Sequence, residues 1–309
     1  MTDNELRLQG PPIELDNTMR VQFRECPRKL YWFMRGFTWK GKPAYFISGS
    51  SWHIFIEEYY LTAEADRKER IVGSIEKAQA FYRANIGEAI PSDKDKWDSI
   101  EQLMLLYADI YRTEPWKMIS GETGWLWPID SRRMYGGSLD GYIEWPGYGT
   151  LAIEQKTVGM YLSDSYIAQW SFSPQVTGII WGLSEHIGGE IFGCLMNLAS
   201  KVLPGPKSKR TTPQFTRRLE KRSQARLIEF KDEVLRDFDL LEAEWLRWSW
   251  PMSVNPIECV GGIGRKPCLF KDVCTLPIHF TQVDPLEFSY IGLRAEKWEP
   301  WKRTKGEDK

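Results

Sequence analysis

The sequence predicts an α/β fold, and three observations carry that expectation. Two apolar, strand-like segments around Asp140 and Glu154 are joined by the turn Pro146-Gly147-Tyr148-Gly149, which lets the second lie beside the first. A helix-like stretch at 165–183 and another strand-like run at 191–198 come next. Upstream, residues 66–115 combine mixed charge with apolar residues at Ile100, Leu103, Leu106, Ile110 and Tyr111, which reads as a helical insertion. With 309 residues, 42% of them hydrophobic, the chain can bury a sizeable core as a single domain.

Residues 1–17 read as a polar tail, and 18–36 as a helix carrying Cys26. In Gly49-Ser50-Ser51-Trp52-His53, Ser50 or Ser51 is placed to cap a helix whose next residues are apolar around His53. Trp125, Trp127 and Ile129 alternate as in a strand, and Met134–Leu139 leads to Asp140. A long amphipathic helix over 223–248 precedes a tail, 251–309, rich in Gly, Pro and Cys. No internal repeat is present. No stretch approaches the roughly 18 apolar residues of a membrane span, and the N-terminus has no targeting character, so the expected location is cytoplasmic.

Glu154 and Lys156 are two apart, so on a strand they share a face, while Leu151, Ile153 and the aliphatic part of Gln155 take the other. Folding back at the turn brings Asp140 to them. Two carboxylates bind a hard cation such as Mg²⁺ or Mn²⁺, and a nearby ammonium orients water and offsets charge on a phosphate. A charged strand face is ordinarily just solvated. Asp140, however, stands between Gly136-Gly137-Ser138-Leu139 and Gly141, an odd place for a merely solvated acid. A lone histidine among apolar residues is usually part of a core, but Glu57 follows His53 by one helical turn, within reach of its imidazole.

Five cysteines, an odd number, argue against a disulfide framework and for a reducing compartment. Cys194, within Ile191-Phe192-Gly193-Cys194-Leu195-Met196, reads as a buried strand residue. Cys259, Cys268 and Cys274 crowd sixteen positions of the tail and read as a thiolate site.

Together, Gly-x-x-Asp ending at Asp140, Glu154-x-Lys156 and Gly49-x-x-x-His53-x-x-x-Glu57 resemble the PD-(D/E)XK nuclease superfamily and its RecB-like branch. With Cys26 before that core and three cysteines after it, the chain resembles the iron–sulfur members of the branch, the AddB nuclease domain and the CRISPR-associated RecB-like exonucleases. The resemblance implies a restriction-endonuclease-like core at 46–200, a central mixed sheet flanked by helices in the order helix, three strands, helix, strand. It implies a divalent metal held by His53, Asp140, Glu154 and the backbone carbonyl of Gln155, with Lys156 at the chemistry. It further implies a [4Fe-4S] cluster on Cys26, Cys259, Cys268 and Cys274; structural zinc is the alternative from thiolate count alone. From the branch's Gln-x-x-x-Tyr only the glutamine carries over, at Gln175 with Gln169 competing, because no tyrosine follows at the matching position.

The implied activity is DNA hydrolysis, with an exonuclease on ends or single strands ranked above an endonuclease or flap nuclease. The competing class is a non-catalytic DNA-end-binding scaffold subunit. The settings implied are recombination, repair, phage replication or CRISPR adaptation. No Gly-x-x-x-x-Gly-Lys-[Ser/Thr] motif is present, so unwinding would need a helicase, recombinase or annealing-protein partner.

Net charge is −1, so DNA contact must come from local patches. Residues 201–226 hold nine cations against the single acid Glu220, and they read as a flexible arm for phosphates through Lys207, Lys209, Arg210, Arg217, Arg218, Lys221 and Arg222. Most of the fifteen tryptophans must be core, with some left to stack on unpaired bases.

Overall fold

The computed structural model describes residues 1–203, 214–262 and 266–303. The chain divides into two compact units, Met1–Gly41 with Leu126–Gly136 and Ile228–Pro300, and Lys42–Trp125 with Gly137–Leu227 and Trp301–Lys309. Each is assembled from segments far apart in the chain, which hydrophobic content cannot foretell. The architecture is mixed α/β, with sheets flanked by helices. Among the described residues no helix is long and apolar enough to cross a membrane.

The second unit is built on a five-stranded sheet, with β1 (Lys117–Ser120), β2 (Gly141–Trp145), β3 (Gly149–Val158), β4 (Gly193–Ser200) and β5 (Phe215–Glu220) side by side in that order. β1, β2 and β3 form an antiparallel meander, with Gly141 opposite Ile153 and Trp145 opposite Gly149. The turn works as its residues require: Gly147 and Gly149 adopt φ of 85° and 77°, and Tyr148 N–H closes on the Trp145 carbonyl at 2.9 Å. β3 and β4 are parallel, with Glu154 opposite Met196, and β5 closes the sheet antiparallel to β4. A parallel neighbour needs a crossover, which here contains helix Pro174–Ile187. Every residue of β4 is buried, as its near-continuous apolar run allows.

The other helices of this unit are α1 (Ala44–Leu61), α2 (Arg67–Ile86) and α3 (Trp97–Ile110), and the crossover helix is α4. Trp52, Phe55 and Tyr59 of α1 meet Leu103 and Tyr107 of α3 and Ile143, Leu151, Ile153 and Leu195 of the sheet in one core. The helical insertion is therefore present. Its inward face runs through Ile100, Leu103, Met104, Tyr107 and Ala108, leaving Leu106 and Ile110 exposed.

Local chemistry corrects several expected boundaries. α1 starts six residues before Ser50, directly after Pro43, and Ser51 Oγ donates to the Ile47 carbonyl at 2.9 Å instead of capping. The stretch 165–183 is not one helix: Asp164–Ala168 and Gln169–Phe172 precede a break at Ser173, which caps α4 ahead of Pro174. The strand Thr123–Pro128, containing Trp125 and Trp127, lies outside the five-stranded sheet, whose first member is β1. The helix expected at 18–36 is two, Asn17–Glu25 and Pro27–Met34, broken at Cys26 because a residue before proline is driven out of the helical region; its φ is −165°. Residues 1–17 are no tail. Thr2 and Glu5 form a capping box for Asp3–Leu8, and Leu6 and Leu15 are buried.

In the first unit, Tyr31 gathers Trp32, Trp248, Trp250 and Phe280 around its ring at 4.7 to 6.3 Å between centroids. The long helix Gln224–Arg247 presents Phe230, Val234, Phe238, Leu241 and Trp245 inward. Its buried Asp237 takes Arg20 at 2.6 Å and also Arg24.

Candidate functional site

β2 begins where the chain turns sharply at Asp140-Gly141. Gly141 has φ of 154°, and a β-carbon there would lie 2.6 Å from the Ser120 carbonyl, so the position admits glycine alone. Asp140 is thereby aimed at β3, where its Oδ2 accepts the Gln155 backbone N–H at 2.7 Å. Its other oxygen lies 3.0 Å from His53 Nδ1 on α1. Glu154, on the middle of β3, accepts from Lys156 Nζ at 2.6 Å and, through the same Oε1, from Gln175 Nε2 of α4 at 2.8 Å. Four elements thus bring together all five side chains that the sequence singled out. Gln175 and not Gln169 reaches them, since Gln169 bonds locally to the Tyr166 carbonyl.

Electrostatics separates the two carboxyls. Burial works to raise Asp140, but the charges of His53 and Lys156 and the Gln155 N–H more than offset it and hold it below the ordinary carboxylate value. Glu154 is pushed up to about 7, by burial first and by the charge of Asp140 second, against the pull of Lys156. For His53 and Lys156 burial opposes the charge, yet the carboxylates win and raise both.

Glu57, one turn after His53 on α1, reaches the turn at Gly121-Glu122. Its Oε1 accepts from the Glu122 N–H at 3.0 Å, over a turn where Gly121 leaves no room for a β-carbon: Oε1 would lie 1.8 Å from it. Glu122 itself is a neighbour the sequence did not flag. Its carboxyl is raised by burial and by Asp140 and Glu57. Lys156 Nζ also lies 5.9 Å from the Trp170 ring, with Tyr166 beside that ring at 5.9 Å. Both aromatics fall in the stretch that periodicity reads as one continuous helix.

Among the described residues, no three His, Cys, Asp or Glu side chains are grouped closely enough to hold a metal ion as they stand. The donor chemistry of His53, Asp140 and Glu154 nevertheless suits a hard cation, because the buried Glu154 and the half-buried Asp140 offer oxygens whose mutual repulsion a cation would relieve.

The four cysteines are neighbours in the first unit. Cys26, at its helix break, acts electrostatically on Cys259, Cys268 and Cys274, each raised chiefly by burial. Cys268 N–H also donates to the Cys259 carbonyl at 2.9 Å. Lys29 at Cys268 and Arg28 at Cys274 offset only part of that rise, and Cys274 is pushed up to about 11. Cys194 belongs to the second unit, fully buried on β4.

The basic segment is corrected where it is described. Residues 215–220 are strand β5 and not an arm. Arg217 turns inward to Glu114 at 2.6 Å and to the hydroxyls of Tyr60 and Tyr107 at 2.8 Å, so its guanidinium is consumed by the core. Arg218 pairs with Glu220 at 2.6 Å, and Arg222 lies 3.6 Å from the same carboxylate and donates to Thr177 at 2.8 Å. Lys221 remains exposed with Nζ 3.5 Å above the Phe192 ring. Lys207, Lys209 and Arg210 lie outside the described residues.

No family model matches the chain, and no curated protein matches it. A crystal structure of a protein designated SSO0001 is similar over 75% of this chain and 81% of that one, at 12% identity and a TM-score of 0.31, a likeness too distant to carry an argument.

Proposed function

We propose that the chain is a metal-dependent DNA nuclease of the PD-(D/E)XK type, in the RecB-like branch, acting as an exonuclease on DNA ends or single strands. One observation carries the reading: His53 bonds Asp140, Lys156 and Gln175 bond Glu154, and the Gln155 N–H ties Asp140 to the same strand, although these residues are spread over more than a hundred positions. A merely solvated strand face has no reason to recruit a histidine from α1 and a glutamine from α4. The succession of α1, a three-strand meander, α4 and a parallel strand supports the reading as a restriction-endonuclease-like core.

A divalent cation held by His53, Asp140, Glu154 and the Gln155 carbonyl would polarise the phosphate and acidify a water. Lys156 is placed to orient that water and to balance charge growing on the phosphate. The Gln155 N–H fixes Asp140, and the Gln175 amide fixes Glu154, so neither carboxylate must reorganise during the reaction. In the first unit, the neighbouring thiols of Cys26, Cys259, Cys268 and Cys274 support a structural [4Fe-4S] cluster, or zinc in its place.

The test is degradation of end-labelled single- and double-stranded DNA with Mg²⁺ or Mn²⁺. Progressive shortening from an end is expected, and internal cuts would favour an endonuclease or flap nuclease. Binding of DNA without cleavage under any of these metals would overturn the reading in favour of a scaffold subunit.

A further inference from the structure

A second polar recess lies beside the candidate site. Trp170, whose ring faces Lys156, is followed by Ser171 and Phe172, and these border a cavity of about 500 Å³ with Thr177, Lys221, Ser223 and Arg226. Thr177 is two residues beyond Gln175 on α4, so one helix end serves both places. The cavity wall includes Arg222, fixed by Thr177 and by the Trp170 carbonyl at 3.0 Å. Lys221 is exposed with its ammonium braced over Phe192.

Phe172 makes this more than a cationic hollow. Phe172 is 83% exposed at the rim of this polar, basic cavity and presents an aromatic face to water. We propose that the cavity is a single-stranded nucleic-acid subsite, with a backbone phosphate on Lys221 and Arg226 and the adjoining base stacked on Phe172. A base inside a duplex is stacked on both faces and has none free for Phe172, so the subsite selects unpaired strands. Its position next to Trp170 makes it a holding point for the strand whose neighbouring phosphate reaches Lys156. The inference rests on the nuclease reading for the polymer it names, but binding tests it without cleavage.

The experiment is fluorescence anisotropy in EDTA with labelled oligothymidylate, oligouridylate and a blunt duplex. Phe172→Ala should weaken single-strand binding about tenfold. Lys221→Gln with Arg226→Gln should weaken it further and flatten the log-log salt slope by about 1.4, two single-strand phosphate contacts. Duplex affinity and melting temperature should stay as in wild type. Loss with oligothymidylate alone identifies DNA as the ligand, and equal loss with oligouridylate identifies either polymer. Unchanged single-strand affinity and slope in both variants would overturn the subsite, as would an equal loss for duplex. A wild-type protein that binds strands through Phe172 yet never cleaves them leaves the subsite standing and removes the nuclease reading. Cleavage with unaltered variant affinities does the reverse.

Discussion

At Glu154 a single carboxylate oxygen serves both Lys156 and Gln175 while the charge of Asp140 presses from the other side. Removing one carboxylate should therefore cost chemistry far more than folding. Asp140→Asn and Glu154→Gln are expected to lower the rate of DNA cleavage by about 10³-fold or more with little change in DNA affinity, and Lys156→Ala to lower rate more than metal affinity, all measured on end-labelled substrates at varied Mg²⁺. Turnover near wild type in these variants would remove the assignment. Arg217 shows the opposite economy. Taking its guanidinium away strips the partly buried Glu114 carboxyl of its ion-pair partner and leaves it the Tyr60 hydroxyl. Arg217→Gln should destabilise by about 3–5 kcal/mol in urea unfolding, and in the surviving folded protein the salt dependence of DNA binding should not move.

At the scale of elements, the junction between Met134–Leu139 and β2 sets where Asp140 stands. Gly141→Ala places a β-carbon against the Ser120 carbonyl in a backbone conformation that alanine rarely adopts. A loss of about 1–3 kcal/mol is expected by thermal unfolding, and because β1 and β2 must part to make room, cleavage should fall in protein that is still folded.

A second element-scale prediction concerns the buried pair of Lys201, just after β4, with Asp95, whose carboxylate also accepts from Ser48 and Ser92. Burial opposes the charge on Asp95, but the Lys201, Ser92 and Ser48 bonds lower its pKa below the ordinary value. The unfolded chain binds that proton more readily, so the pair's contribution is complete above the ordinary aspartate pKa and is lost as pH falls through the lower, folded value. Asp95→Asn should accordingly flatten the acid limb of a stability–pH profile and lower stability at pH 7. An acid limb identical to wild type would place the transition elsewhere.

For the molecule as a whole, the thiols decide most. Anaerobically purified protein is expected to be brown and to contain iron and sulfide, with Cys26→Ser, Cys259→Ser, Cys268→Ser and Cys274→Ser each losing colour and thermal stability and Cys194→Ala keeping both. Colourless protein with stoichiometric zinc would replace iron and leave the four ligands in place. These variants act in the unit that contains Tyr31, Trp32 and Trp250, so proteolysis should open that unit first.

The sequence by itself determined the elements whose signals are local: the Gly147–Gly149 turn, the two-residue spacing of Glu154 and Lys156, the apolar run of β4, and the inward stripe of the helix after Gln224. The residue types of the candidate site were legible for the same reason, since residue type and short spacing are properties of one strand or one helical turn. Signals that were equally local went unread at Thr2-x-x-Glu5, Cys26-Pro27 and Ser173-Pro174, where a capping box and two prolines mark the boundaries the structure has.

Only the tertiary structure decided which charges are spent. Arg217 looks the same as Lys221 in a basic run, yet one lies in strand β5 facing Glu114 and the other faces water, and alternation along a strand is invisible until pairing fixes its register. The same holds for Gln175 over Gln169, for Glu122 entering the field of Asp140, and for Phe172 being left outside the core. Each depends on contacts between residues tens of positions apart, and chain entropy keeps no record of such partners in local sequence.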